Sequence, residues 1–137
     1  MAAERTFPAR EDQLESVQKF VMEQLAAYNC PDNIRFQLEV AAEEIFVNIV
    51  KYAYQPGREG EAVVRCSVEE NPLSLTIQFM DGGVPFNPLE KEDADITLSA
   101  EERPIGGLGI LMVKKSMDAV NYEYKDGKNI LTIKKNI

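Results

Sequence analysis

The run Leu73-Ser74-Leu75-Thr76-Ile77-Gln78-Phe79-Met80 alternates in character at every step. Successive side chains of a β-strand point to opposite faces. This period therefore writes a strand with one apolar face, Leu73, Leu75, Ile77 and Phe79, and one more polar face, Ser74, Thr76, Gln78 and Met80. A sheet built around such a strand buries one side only, and the covering layer must come from elsewhere in the chain. Two segments carry a helical period instead. Within Glu11–Asn29, Leu14, Val17, Val21, Leu25 and Tyr28 recur at spacings of three and four. Within Asp32–Tyr54, Leu38, Ala41, Ala42, Ile45, Ile49, Tyr52 and Ala53 form a second apolar stripe, which Gln55-Pro56-Gly57 ends.

The remaining strands complete the sheet. Val64, Cys66 and Val68 share one face of a strand, joined to the alternating one through Glu69-Glu70-Asn71-Pro72. Ala119–Tyr124 and Asn129–Lys135 flank an Asp126-Gly127 turn, and Glu4–Ala9 reads as a short first strand. The expected fold is an α/β two-layer sandwich, a mixed, mostly antiparallel sheet covered on one face by helices. With 137 residues, no linker and no internal repeat, the expectation is a single domain over 1–137.

Charge and composition exclude several functions. The net charge is −8, with no Lys/Arg cluster of the kind that neutralises nucleic-acid phosphates or an anionic membrane surface. No apolar run is long enough to span a bilayer, and the first residues lack a signal-peptide core, so the cytoplasm is the expected location. Cys30 and Cys66 lie far apart and read as reduced, buried thiols. Histidine is absent. That removes a histidine triad, a histidine metal site and a phospho-accepting histidine, and leaves chemistry to carboxylates, hydroxyls, Lys, Arg and bound metal.

Three local patterns remain. Glu44 and Asn48 lie four residues apart and flank the stripe centred on Ile45, where a polar pair lines a cleft beside the core. Asp81 follows the alternating strand and opens the loop Asp81-Gly82-Gly83-Val84-Pro85-Phe86-Asn87-Pro88. A carboxylate there can accept a hydrogen bond from an adenine amino group, and glycines let backbone approach a flat base. Gly106-Gly107-Leu108-Gly109 opens a helix running through Met117, and a helix N-terminus favours phosphate oxygens. Taken singly, each has a plainer reading: a solvated helix flank, an Asp-Gly turn, a hinge loop. The last is neither a dinucleotide fingerprint, since Met112 stands where the third glycine is needed, nor a Walker loop.

Their order is what carries information. A helix with E-x-x-x-N, a strand end with D-x-G-x-P and a G-x-G helix start together resemble the Bergerat nucleotide-binding fold of the GHKL ATPases, over nearly the whole chain. The fuller stretches Glu43–Tyr54, Asp81–Pro88 and Gly106–Ile110 are most similar to the bacterial anti-sigma-factor serine/threonine kinases. The resemblance implies ATP and Mg²⁺ as cofactors. It implies Glu44 as general base, Asn48 as Mg²⁺ ligand, Asp81 as reader of the adenine amino group and Gly83 as support for the base. It also implies a mobile lid over about 86–105, with the backbone of Gly107 and Gly109 brought to the phosphates. Val84, Pro85 and Leu108 complete the nucleotide-binding stretches. Arg103, the one arginine of the lid, is a candidate for the γ-phosphate or a solvated charge. A late-strand threonine contacts the nucleotide in related proteins; Thr132 and Asn129 are both candidates here. Tyr52 stands where many relatives carry histidine.

The function implied is phosphorylation of a small antagonist protein on Ser or Thr, with binding of a sigma factor in turn and homodimerisation. The alternatives are a non-catalytic ATP-binding switch and an ATPase module of a larger machine. Glu44 favours the kinase, because a switch has less use for a base.

Overall fold

A computed structural model describes residues 2–55, 57, 59–90 and 107–137. Five strands form one sheet: β1 (Ala2–Pro8), β2 (Glu61–Glu69), β3 (Ser74–Asp81), β4 (Ala119–Lys125) and β5 (Lys128–Asn136), in the order β1-β2-β3-β5-β4. All four pairings are antiparallel, which corrects the expected mixed sheet. From Leu75 onward the alternation in β3 does what its period requires, while Ser74, expected on the more polar face, is buried at the start of the strand. Leu75, Ile77 and Phe79 are buried beneath the helices, with Val64 and Cys66 of β2 and Leu131 and Ile133 of β5 beside them. Thr76, Gln78 and Met80 point to the open face. The β4–β5 turn places Asp126 at φ +53° and Gly127 at φ +76°. Two consecutive positive values are what a right-twisted two-residue hairpin demands, and Asp-Gly meets that demand at low cost.

Three helices cover the other face: α1 (Leu14–Glu23), α2 (Asp32–Asn48) and α3 (Gly107–Ser116). Val17, Val21, Leu38, Ile45 and Phe46 are almost fully buried among them. The first helix is shorter than its period suggests. After Glu23 the chain tightens to bonds spanning three residues, from Gln24, Leu25 and Ala26 back to Val21, Met22 and Glu23. That keeps Leu25 in the core while turning the chain toward Pro31. The second helix continues to Ala53 as expected, but over Ile49–Ala53 it widens into a π-turn, a form often found beside functional sites. The segment Pro88–Glu90 forms a single 3₁₀ turn. Most of the expected lid, with Arg103 and Gly106, lies outside the described residues. No helix among the described residues is long and apolar enough to cross a membrane.

Candidate functional site

The pleat of β3 carries Asp81 onto the helix-facing side, in phase with Ile77 and Phe79. Its register partner on β5 is Asn129, so the two side chains stand side by side, 5% and 4% exposed. The Asn129 amide donates to Asp81 Oδ1 at 2.9 Å and to the Val84 carbonyl at 2.8 Å. Asn129 Oδ1 accepts from the Phe86 N–H at 3.0 Å and from the Tyr122 hydroxyl. Both donors and both acceptor positions of the amide are thus used. The Gly83 N–H also donates to Asp81 Oδ1, at 2.9 Å, a local Asx turn. Oδ1 therefore serves the protein twice, and Oδ2 is the oxygen with capacity for a ligand's donor.

Asp81 and Asn129 form the polar end of a cleft whose walls include Ile45, Asn48, Ile49, Phe79 and Phe86. Burial pushes the Asp81 carboxyl above its ordinary value, while the hydrogen bonds from Asn129 and Gly83 pull the other way. The free space is about 30 Å³, enough for one or two waters at roughly 10–15 Å³ each. Entry of a planar base requires Phe86 or Pro88 to give way. Phe86 stacks on Tyr52, with ring centres 5.3 Å apart.

The Asp81 loop is docked on the end of the second helix. The Val84 N–H donates to the Ala53 carbonyl at 2.9 Å, and a Cβ on Gly83 would fall 2.1 Å from that same oxygen. The close approach at Gly83 is therefore to helix backbone. Tyr54 secures the loop from the other side: its hydroxyl accepts from the Gly82 N–H at 3.0 Å and donates to the Glu61 carbonyl at 2.6 Å. No sequence pattern singles out Tyr54. Val84 and Pro85 do not enter the Asp81 cleft; they line an adjoining groove with Tyr54 and Tyr124.

Glu44 and Asn48 both flank the buried Ile45 and are half-buried, as their spacing requires. Asn48 lines the cleft. Glu44, one turn earlier, meets the first turn of α3 at Gly109. Its carboxyl is raised above the ordinary glutamate value, first by burial and then by Glu43, with Lys51 opposing. Gly107 and Leu108 begin that helix. Thr132 is not brought to the cleft. It lies on the open face of the sheet, where its hydroxyl accepts from Gln78 Nε2 at 3.4 Å. Strand parity separates it from Asn129, and Asn129 is the late-strand residue at the site. Among the described residues no cluster of His, Cys, Asp and Glu could hold a metal ion by itself.

The chain is similar in sequence and fold to known proteins. Serine/threonine-protein kinase BtrW of Bordetella bronchiseptica is 27% identical over 100 residues, covering 73% of this chain and 69% of that protein. Serine-protein kinase RsbW of Listeria monocytogenes is 30% identical over 101 residues, covering 71% of this chain and 63% of that protein, so the match spans less than two thirds of its length. The solved RsbU and RsbW domains of a Mycobacterium tuberculosis protein share the fold, with a TM-score of 0.69 at 14% identity, over 99% of this chain and 32% of that longer one. The model of the histidine kinase-like ATPase domain matches residues 7–135. That match covers most of the chain, and this chain belongs to the histidine kinase-like ATPase domain family.

Proposed function

We propose that the chain is an ATP-dependent serine/threonine protein kinase of the anti-sigma-factor type. The observation that carries this is Asp81, a buried carboxylate with one oxygen committed to Gly83 and Asn129 and the other left for a ligand, in an otherwise largely apolar cleft. Such an acceptor in an apolar cleft fits a flat base that donates from one amino group. Asn48 offers a hard amide oxygen at the cleft edge and would hold Mg²⁺, an ion that favours oxygen ligands and would help neutralise substrate phosphates there. When bound, MgATP supplies the phosphoryl group and neutralises its charge. The chain's own part is placement and proton transfer. Asp81 fixes the base. The start of α3 presents backbone N–H groups to anionic oxygens. Glu44, with its raised basicity, takes the proton of the attacking Ser or Thr hydroxyl as the new oxygen–phosphorus bond forms and ADP leaves.

On this reading the protein substrate is a small antagonist, a sigma factor is a second partner, and the active form is a homodimer of the nucleotide-binding domain. Support comes from the similarity to the RsbW and BtrW kinases. The test is incubation with γ-labelled ATP, Mg²⁺ and a candidate antagonist. Label on a serine or threonine of the antagonist supports the reading; bound ATP with no transferred label to any such protein rejects it. The assignment of the late-strand contact has its own check by calorimetry. Asn129→Ala lowers ATP affinity about tenfold or more, because Asp81, Val84 and Phe86 lose a buried partner together. Thr132→Ala leaves it within about twofold, as expected for a site away from the cleft. The reverse order would return the contact to Thr132.

A further inference from the structure

The first turn of α3 lies against Glu44 at one point. A Cβ on Gly109 would fall 1.9 Å from Glu44 Cδ and 2.2 and 2.3 Å from its carboxylate oxygens. Non-bonded carbons in contact stand about 3.5–4.0 Å apart. The Glu44 carboxyl therefore occupies the volume in which any other residue type at 109 would place its Cβ. The next residues of the helix, Ile110 and Leu111, are buried apolar side chains, so the helix surface is filled again directly after Gly109. Gly83 differs, because there the obstacle is the rigid backbone of Ala53. At Gly109 it is the far end of a side chain that can swing away, so a methyl group displaces Glu44 and leaves the helix in place.

We propose that Gly109 is a positioning residue, whose missing side chain forms the seat that holds the Glu44 carboxyl. The proposal rests on the reading of Glu44 as general base. It is a separate demand on Gly109 from any backbone contact with phosphate, since it arises from the absent Cβ. The charges acting on Glu44 from its own helical run are Glu43 and Lys51. The charged groups of α3 among the described residues are Lys114 and Lys115, in its last turn. Seating against Gly109 is thus a matter of excluded water more than of a neighbouring charge.

Gly109→Ala in the full chain tests this. The Glu44 carboxyl carbon, assigned through its loss in Glu44→Gln, is followed by NMR from acid to neutral pH. Its midpoint lies above the ordinary glutamate value in the wild type and returns toward that value in Gly109→Ala. MgATP affinity by calorimetry stays within about threefold, while phosphoryl transfer falls about 10–100-fold, the order expected for a misplaced catalytic group. Glu44→Asp withdraws the carboxyl from the seat, so adding Gly109→Ala to it changes the transfer rate little further. An unchanged Glu44 titration in Gly109→Ala overturns the proposal, as does a loss of MgATP affinity equal to the loss of rate. If Glu44→Gln is inactive and Gly109→Ala keeps the wild-type rate, the seat is wrong and the base reading stands. If Glu44→Gln transfers at the wild-type rate, the base reading fails and the positioning role with it.

Discussion

Asp81→Asn keeps the fold and loses ATP, by at least about 100-fold in affinity. The amide retains one oxygen, which still accepts from the Gly83 N–H and the Asn129 amide that now meet Oδ1. What changes is the other position, where an N–H donor replaces an oxygen and faces the adenine amino group. A hydrogen bond to a charged group contributes about 1.5–3 kcal/mol, and leaving buried polar groups unmatched costs about 1–3 kcal/mol more. A hundredfold loss corresponds to about 2.7 kcal/mol, within that sum. Stability moves the other way. The folded Asp81 carboxyl is raised above its unfolded value by burial, so its contribution to stability is full below the unfolded value and is lost as pH rises through the folded one. Above that window the ionised form is held at a cost, which a neutral amide relieves. Thermal melts therefore place Asp81→Asn at or above the wild type. A variant that melts far lower would mean that the carboxylate holds the loop together.

Glu44→Gln separates binding from chemistry. Gln has nearly the same shape, so it occupies the seat beside Gly109 and leaves MgATP affinity within about threefold of the wild type. It cannot take a proton at the attacking hydroxyl, and phosphoryl transfer falls by about 10²–10⁴. The pH dependence follows from the same contacts. In the proposed role Glu44 would act in its ionised form, and burial with Glu43 nearby raises its folded pKa. The acid limb of the transfer rate therefore lies above the ordinary glutamate value and disappears in Glu44→Gln. Because the folded value is the higher one, ionising Glu44 as pH rises also removes some stability from the protein. On the proposed role the site would trade stability for reactivity, a common arrangement at catalytic positions. Transfer at the wild-type rate in Glu44→Gln would leave the chain an ATP-binding switch.

Much of the fold is legible in the residues. From Leu75 to Met80 the alternation of β3 decides which side chains are buried, with Ser74 the exception, and the Asp126-Gly127 pair writes the last hairpin. The four-residue spacing of Glu44 and Asn48 sets them on one side of the second helix, beside Ile45. What the chain does not show by itself is relational. The hairpin β4–β5 inserts with β5, not β4, against β3, a choice made by packing between distant segments. The same register decides between Asn129 and Thr132, since a step of one residue reverses the face. Leu131 and Ile133 signal the parity that places Asn129 inward, but Ile130 interrupts the pattern. Tyr54 escapes notice because its role depends on a hydroxyl reaching across to Glu61 and Gly82. Gly109 reads as a helix-start glycine until Glu44 is seen lying in its place. The early end of the first helix is a matter of tighter turns that the apolar period does not distinguish.

The central claim is that the Asp81 cleft recognises the amino group of adenine. Calorimetric titration of the wild-type chain with MgATP and with the inosine analogue tests it most directly, because the analogue carries a carbonyl oxygen in place of that amino group and a proton on N1. A site built around a hydrogen-bond acceptor rejects such a change strongly. The expected result is measurable binding of MgATP and affinity for the inosine nucleotide lower by about 100-fold or more. Equal affinities for the two would contradict the assignment of Asp81 and the reading built on it.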